Sequence, residues 1–76
     1  MSTMEQTEIV RLQSYLRTTF GTDRLRLKPR KEANDSVEVL LGEEFIATIY
    51  KIEEEGETSY DLNMAILDID LPAMAS

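Results

Sequence analysis

The sequence predicts an α+β fold, with one N-terminal helix packed on a four-stranded antiparallel β-meander. Three observations carry that prediction. Ile9, Leu12, Leu16 and Phe20 recur at spacings of three and four, which places them in one stripe of a helix. From Arg24 onward apolar residues alternate with polar ones, the period of a half-buried strand. Gly42 and Gly56 interrupt that alternation where hairpin turns would lie.

The helix is expected over residues 4–20. Ser2 and Thr3 are candidate N-caps, with Thr3-x-x-Gln6 or Ser2-x-x-Glu5 as a capping box. Gly21 stands where a left-handed C′ residue would end the helix. Glu8 and Arg11 form an (i, i+3) pair on its outer side. The apolar stripe is read as the surface that covers the sheet.

The first strand is expected over 24–28, where Leu25 and Leu27 alternate with Arg24, Arg26 and Lys28. Pro29 lacks a backbone donor and marks this strand as an edge. Residues 32–35 read as a polar connection with Asn34-Asp35 as turn residues. The second strand follows at 36–41, and Gly42-Glu43 suits a two-residue II′ hairpin that sets Val39 opposite Ile46 and Leu40 opposite Phe45. The third strand spans 44–53. A three-residue loop with Gly56 in a left-handed bulge position would pair Tyr50 with Tyr60. A two-residue loop would shift that register by one and invert the last strand. The longer loop is preferred because it gathers Val37, Val39, Leu41, Ile46, Tyr50, Tyr60, Leu62, Met64 and Ile66 on one face. The last strand is expected over 57–70, with a β-bulge near 65–67 where the apolar phase changes from even to odd positions. Pro72 ends it, and 72–76 form a frayed tail.

Seventy-six residues make a single domain, 1–76. A chain of that length buries only roughly 60–65% of its unfolded surface. Small folds are commonly supported by disulfides, metals or partner chains. There is no cysteine and no histidine, which removes disulfides, thiolate metal sites and the commonest general base. No serine can be activated by a histidine, and no phosphate-binding glycine loop is present. The chain therefore reads as non-enzymatic, with no catalytic residue, no cofactor and no metal. Asp68-x-Asp70 and the acidic turn Glu53–Glu57 lack the spacing of a calcium loop. The polar, acidic N-terminus resembles no signal peptide, and no apolar run is long enough for a membrane span. A cytoplasmic location is expected.

The net charge of −7 is unevenly spread. Arg24, Arg26, Lys28, Arg30 and Lys31 form a basic strip, whereas residues 32–76 hold twelve of the fifteen acids against Lys51 alone. An acidic body repels polyanions. The strip leaves weak nucleic-acid or polyanion binding as the alternative function. The principal expectation is a protein-interaction or self-associating module, a homodimer or one half of a complex. One helix cannot cover both sheet faces. Leu40, Phe45, Ala47 and Ile49 are the residues expected to remain on the open one, and they are the candidate interface.

Several segments together resemble a known family. They are Leu12-x-x-Tyr15-Leu16-Arg17-x-x-Phe20, Asp35-Ser36-Val37-Glu38-Val39 and Gly42-Glu43-Glu44-Phe45-Ile46. The acidic Gly56 turn, Ser59-Tyr60 and Met64-Ala65-Ile66-Leu67-Asp68-Ile69-Asp70-Leu71 complete the set. The resemblance, over about residues 9–71, is to a small alphaproteobacterial domain-of-unknown-function family, number 3126. It implies a stand-alone bacterial cytoplasmic protein. It implies no activity and assigns no functional residue.

Overall fold

A computed structural model describes residues 3–73. Helix α1 (Gln6–Phe20) is followed by β1 (Leu25–Arg30), β2 (Ala33–Leu41), β3 (Glu44–Glu54) and β4 (Glu57–Asn63), with a 3-10 turn at Asp68–Asp70. The four strands form one antiparallel sheet in the order β1-β2-β3-β4. The architecture is the α+β meander that the alternation patterns predict. The tail residues 74–76 and the cap candidate Ser2 lie outside the described residues.

The helix starts two residues later than expected, because Glu5 and not Thr3 is its N-cap. Glu8 Oε1 accepts the Glu5 N–H at 2.8 Å, the reciprocal half of a capping box. Met4 precedes the cap and Ile9 lies four residues beyond it. Both are buried in the core, the arrangement of a hydrophobic staple. The Met4 N–H donates to Asn34 O at 2.8 Å. Asn34 and Asp35 belong to β2 rather than to a turn, and the β1–β2 connection shrinks to Lys31-Glu32. At its other end the helix stops at Gly21, with φ 67, as the sequence predicts.

Strand β1 is an edge, and helix side chains cover two of its outward backbone groups. Arg17 Nε donates to Leu25 O at 2.8 Å. The Leu27 N–H donates to Gln13 Oε1 at 3.0 Å. Pro29, the next outward position, has no N–H to satisfy, which is why the strand runs through it to Arg30. Helix side chains thus seal this edge against further strand pairing.

The β2–β3 register departs from expectation. Leu40 pairs with Phe45 as predicted, but Val39 pairs with Ala47 rather than Ile46. Ile46 is the extra residue of a β-bulge. The bulge inverts β3 beyond it, so Ala47 and Ile49 face the helix and are 2% exposed. The expected placement of Ala47 and Ile49 on the open face is therefore wrong. Leu40 and Phe45 precede the bulge and do stay on the open face, where Phe45 is 55% exposed.

The second hairpin closes through the two-residue loop that the sequence reading set aside. Glu54 pairs with Glu57, and Lys51, not Tyr50, faces Tyr60. The shift inverts the phase a second time. Tyr60 and Leu62 consequently return to the Val37–Val39 face, where they were expected. Strand β4 ends at Asn63, so the expected strand 64–70 and its bulge are absent.

The tight loop leaves a local cost. Glu55 holds φ 52 and Gly56 φ 81. Both central positions are left-handed, as in a type I′ turn, where Asn-Gly is preferred. Replacing Glu55 by Asn is expected to raise stability by about 0.5–1 kcal/mol. The check is the urea midpoint at constant m-value; a lower midpoint would contradict the turn geometry.

Candidate interaction surface

The charge pattern of α1 and β3 assembles one polar cluster at the edge of the core. Lys51 follows Ala47 and Ile49 on the inward face of β3, so its ammonium is carried under the first turn of the helix. Its Nζ lies 2.8 Å from Glu8 Oε2 and donates to Glu8 Oε1 at 3.0 Å and to Thr3 O at 3.1 Å. Glu53 Oε2 approaches at 3.8 Å. The Tyr60 hydroxyl donates to Glu8 Oε2. The side chain of Lys51 is 9% exposed and that of Glu8 17%, so the pair is shielded more than a surface ion pair.

Hydrogen bonds from the Glu5 N–H, Lys51 and Tyr60 hold the Glu8 carboxyl well below the usual range, at about 2. The same bond to Glu8 pushes the Lys51 ammonium and the Tyr60 phenol upward. At neutral pH the cluster is therefore a fixed carboxylate, ammonium and neutral phenol. The members spend their hydrogen bonds on one another and on the backbone of Thr3 and Glu5, so the cluster is a clasp between helix start and β3–β4 hairpin. From the sequence Glu8 reads only as a surface partner of Arg11. The available signal was Lys51, the lone cation after Lys31, placed in phase with Ala47 and Ile49.

The basic strip is dispersed by its own contacts. Arg26 donates through Nε and Nη2 to Gly42 O, and Arg30 Nη1 donates to Ser36 Oγ. Arg24, Lys28 and Lys31 are exposed. The acidic candidates do not converge: among the described residues no three carboxylates are placed to hold a metal ion. Asp68 and Asp70 lie in the 3-10 turn, where Asp70 Oδ2 accepts the Leu67 N–H at 3.4 Å.

On the open face, Leu40 and Phe45 pair at one end and Tyr50 lies toward the other, with Glu38 and Thr48 paired between them. Polar residues thus separate Leu40 and Phe45 from Tyr50 there. The continuous apolar surface is on the helix face. α1 packs chiefly over β1, which leaves the β3–β4 side of that face only partly covered. A cavity of about 220 Å³ opens there, with Leu16 and Phe20 on one wall and Ile46, Ala47, Leu62 and Met64 on the other. A second, of about 380 Å³, continues along the helix between Leu12, Tyr15 and Leu16 and the residues Ile49, Tyr60 and Leu62. Together they make an apolar groove between α1 and β4. Tyr15 and Phe20 on its helix wall are 65% and 60% exposed.

The clasp yields a pH prediction. Glu8 is held below its unfolded value, so its contribution is full above about pH 4.5 and is lost as pH falls toward about 2. Glu8→Gln should cost about 1 kcal/mol at pH 7. The stability gap between wild type and Glu8→Gln should narrow steadily in acid. Denaturant titrations at several pH values test this; a gap that stays constant down to about pH 2 would exclude the ionised clasp.

No curated protein and no solved structure matches this chain. The sequence model of a family described as "Protein of unknown function (DUF3126)" matches residues 8–70, from the clasp residue Glu8 through the whole meander to the 3-10 turn. The chain therefore belongs to the DUF3126 family of proteins of unknown function.

Proposed function

We propose that this protein is a non-enzymatic protein-interaction module that takes a polypeptide segment into the groove between α1 and β4. The carrying observation is the groove itself. Its walls are apolar side chains of the helix and the sheet, and Phe20, Leu62 and Met64 stand at its mouth 60%, 42% and 51% exposed. Uncovered apolar surface of this kind is costly in water and is typical of binding sites. The polar groups near it are engaged with one another in the Glu8–Lys51–Tyr60 clasp. A chain without histidine or cysteine offers few groups for acid–base or nucleophilic work.

Weak polyanion binding through Arg24, Lys28 and Lys31 is the alternative. It is disfavoured because Arg26 and Arg30 have donors committed within the chain. It is disfavoured also by the net charge of −7.

The two readings separate in one experiment. Tagged wild-type protein and a Phe20→Glu variant are compared for the proteins they retain, with and without nuclease. Phe20 is exposed, so circular dichroism of the variant should be unchanged. Nuclease-resistant recovery of a protein, this chain included, that drops at least about tenfold with Phe20→Glu is the expected result. Recovery that vanishes with nuclease and ignores Phe20→Glu would transfer the function to the basic strip. Equal, nuclease-resistant recovery by both would remove the groove from the interaction.

A further inference from the structure

We infer that β4 is a dimerisation edge: it pairs antiparallel with β4 of a second copy of this chain, about a two-fold axis normal to the sheet, so that the two sheets become one. The surface is the backbone edge of β4 and not the groove, so this inference stands apart from what the groove takes. Glu54 and Glu57 flank a two-residue loop and face each other. Such a pair exchanges both backbone hydrogen bonds, and bonded pairs then recur at every second residue. Glu57, Ser59, Asp61 and Asn63 therefore bond to β3, while Thr58, Tyr60 and Leu62 turn their N–H and C=O groups outward. Among the described residues no strand lies beyond β4, and no loop backbone bonds to those three positions.

The two edges of the sheet are unlike, and that difference selects a second copy. At β1, Arg17 Nε donates to Leu25 O, Gln13 Oε1 accepts the Leu27 N–H, and Pro29 has no donor. Pairing of β4 with β1 of the next copy would be a head-to-tail contact, which repeats without closing and builds fibres. The helix caps on β1 stand against it. Pairing of β4 with β4 uses the same strand twice and closes at two copies. The seven residues of β4 include no proline, lysine or bulge, the devices that commonly blunt an edge.

The residues of β4 are complementary to themselves in one register. Outward positions bond only to outward positions, so the allowed registers differ by two residues. Full overlap sets Tyr60 opposite the partner's Tyr60, Thr58 opposite the partner's Leu62, Ser59 opposite the partner's Asp61 and Glu57 opposite the partner's Asn63. All three outward positions are then satisfied, with about six hydrogen bonds across the edge, and no acid stands opposite an acid. A slip of two residues one way sets Glu57 opposite the partner's Asp61. A slip the other way sets Asp61 opposite the partner's Asp61. Either slip opposes like charges and leaves about four of the bonds. The faces agree as well. An axis normal to the sheet keeps both helices on one side, so Tyr60 and Leu62, which share the face of Val37 and Val39, meet the partner's strand there. Leu62 is 42% exposed in the single chain, and pairing lays the partner's Thr58 against it. The polar pairs formed by Glu57 and Ser59 fall on the open face, in water.

The test uses edge variants of the full chain in about 0.15 M salt. Thr58→Pro removes one outward N–H and leaves the bonds to β3 intact. Ser59→Asp sets an acid opposite the partner's Asp61, and Ser59→Lys sets an opposite charge there. Both positions are exposed, and circular dichroism verifies the fold. By sedimentation, wild type should be dimeric at about 0.1 mM, and Thr58→Pro and Ser59→Asp should dissociate at least about tenfold more readily. Ser59→Lys should dissociate less readily than wild type. Thr19→Lys, the same change of charge at an exposed position of the helix, should not. The Thr58, Tyr60 and Leu62 amide hydrogens should exchange at least about tenfold more slowly at about 0.5 mM than at about 5 µM. A wild-type monomer at about 0.5 mM would overturn the inference and leave retention of another protein by the groove untouched. A dimer indifferent to Thr58→Pro and Ser59→Asp would place the contact elsewhere, and in the groove if Phe20→Glu breaks it. A dimer weakened by Ser59→Lys and Ser59→Asp alike would refute the register.

Discussion

The β-bulge at Ile46 is the constraint on which most of this structure depends. Side chains in a strand alternate with period two, so one inserted residue exchanges the faces of everything beyond it. Without it, Thr48 and Tyr50 would lie under the helix, and Ala47 and Ile49 would face outward. With it, Ala47 brings a small side chain and Ile49 a branched one beneath α1, where both are almost fully buried. The two-residue turn at Glu55-Gly56 then restores the phase, so Tyr60 and Leu62 rejoin the face of Val37 and Val39. The left-handed Glu55 is tolerated because this tight turn matches the twist of the flanking strands.

The bulge also brings Lys51 inward, where an ammonium is costly unless paired. Glu8 supplies the charge, the Thr3 carbonyl another acceptor, and Tyr60 shares the carboxylate. One cluster therefore ties the helix start to both strands of the second hairpin. This tie matters because α1 otherwise rests mainly on β1. Gln13 and Arg17 fix the other side of the helix to the backbone of β1. Between the clasp and the sealed edge the helix is held at a fixed place over the sheet, and the groove is what it leaves uncovered.

The two edges of the sheet are treated oppositely. On β1, side-chain caps on Leu25 O and the Leu27 N–H and the missing donor of Pro29 reduce the outward hydrogen-bonding groups, a usual defence against accidental pairing. On the β4 side the strand stops at Asn63, and among the described residues no strand pairs with the bulged start of β3 there. A marginal core of this size gains from added burial. An asymmetry of this kind directs any added strand to one side of the molecule.

Sequence alone determined the elements and their order. Stripe spacing, strand alternation, Gly21, Gly42 and Gly56 are local signals, and local chemistry decides helix, strand and turn. Pro29 likewise identified β1 as an edge before its partners were known. Register was not legible, because Ile46 and Ala47 are both acceptable inward residues and nothing local chooses between them. Packing under the helix chose Ala47, and Ala47 and Ile49 thereby left the candidate interface, while Leu40 stayed half-buried and Phe45 exposed on the open face. The partnership of Glu8 with Lys51 joins residues forty-three positions apart, a distance no periodicity reaches. The groove exists only because a helix of fixed width sits over one side of a four-stranded sheet, which is a property of tertiary packing and of no single segment.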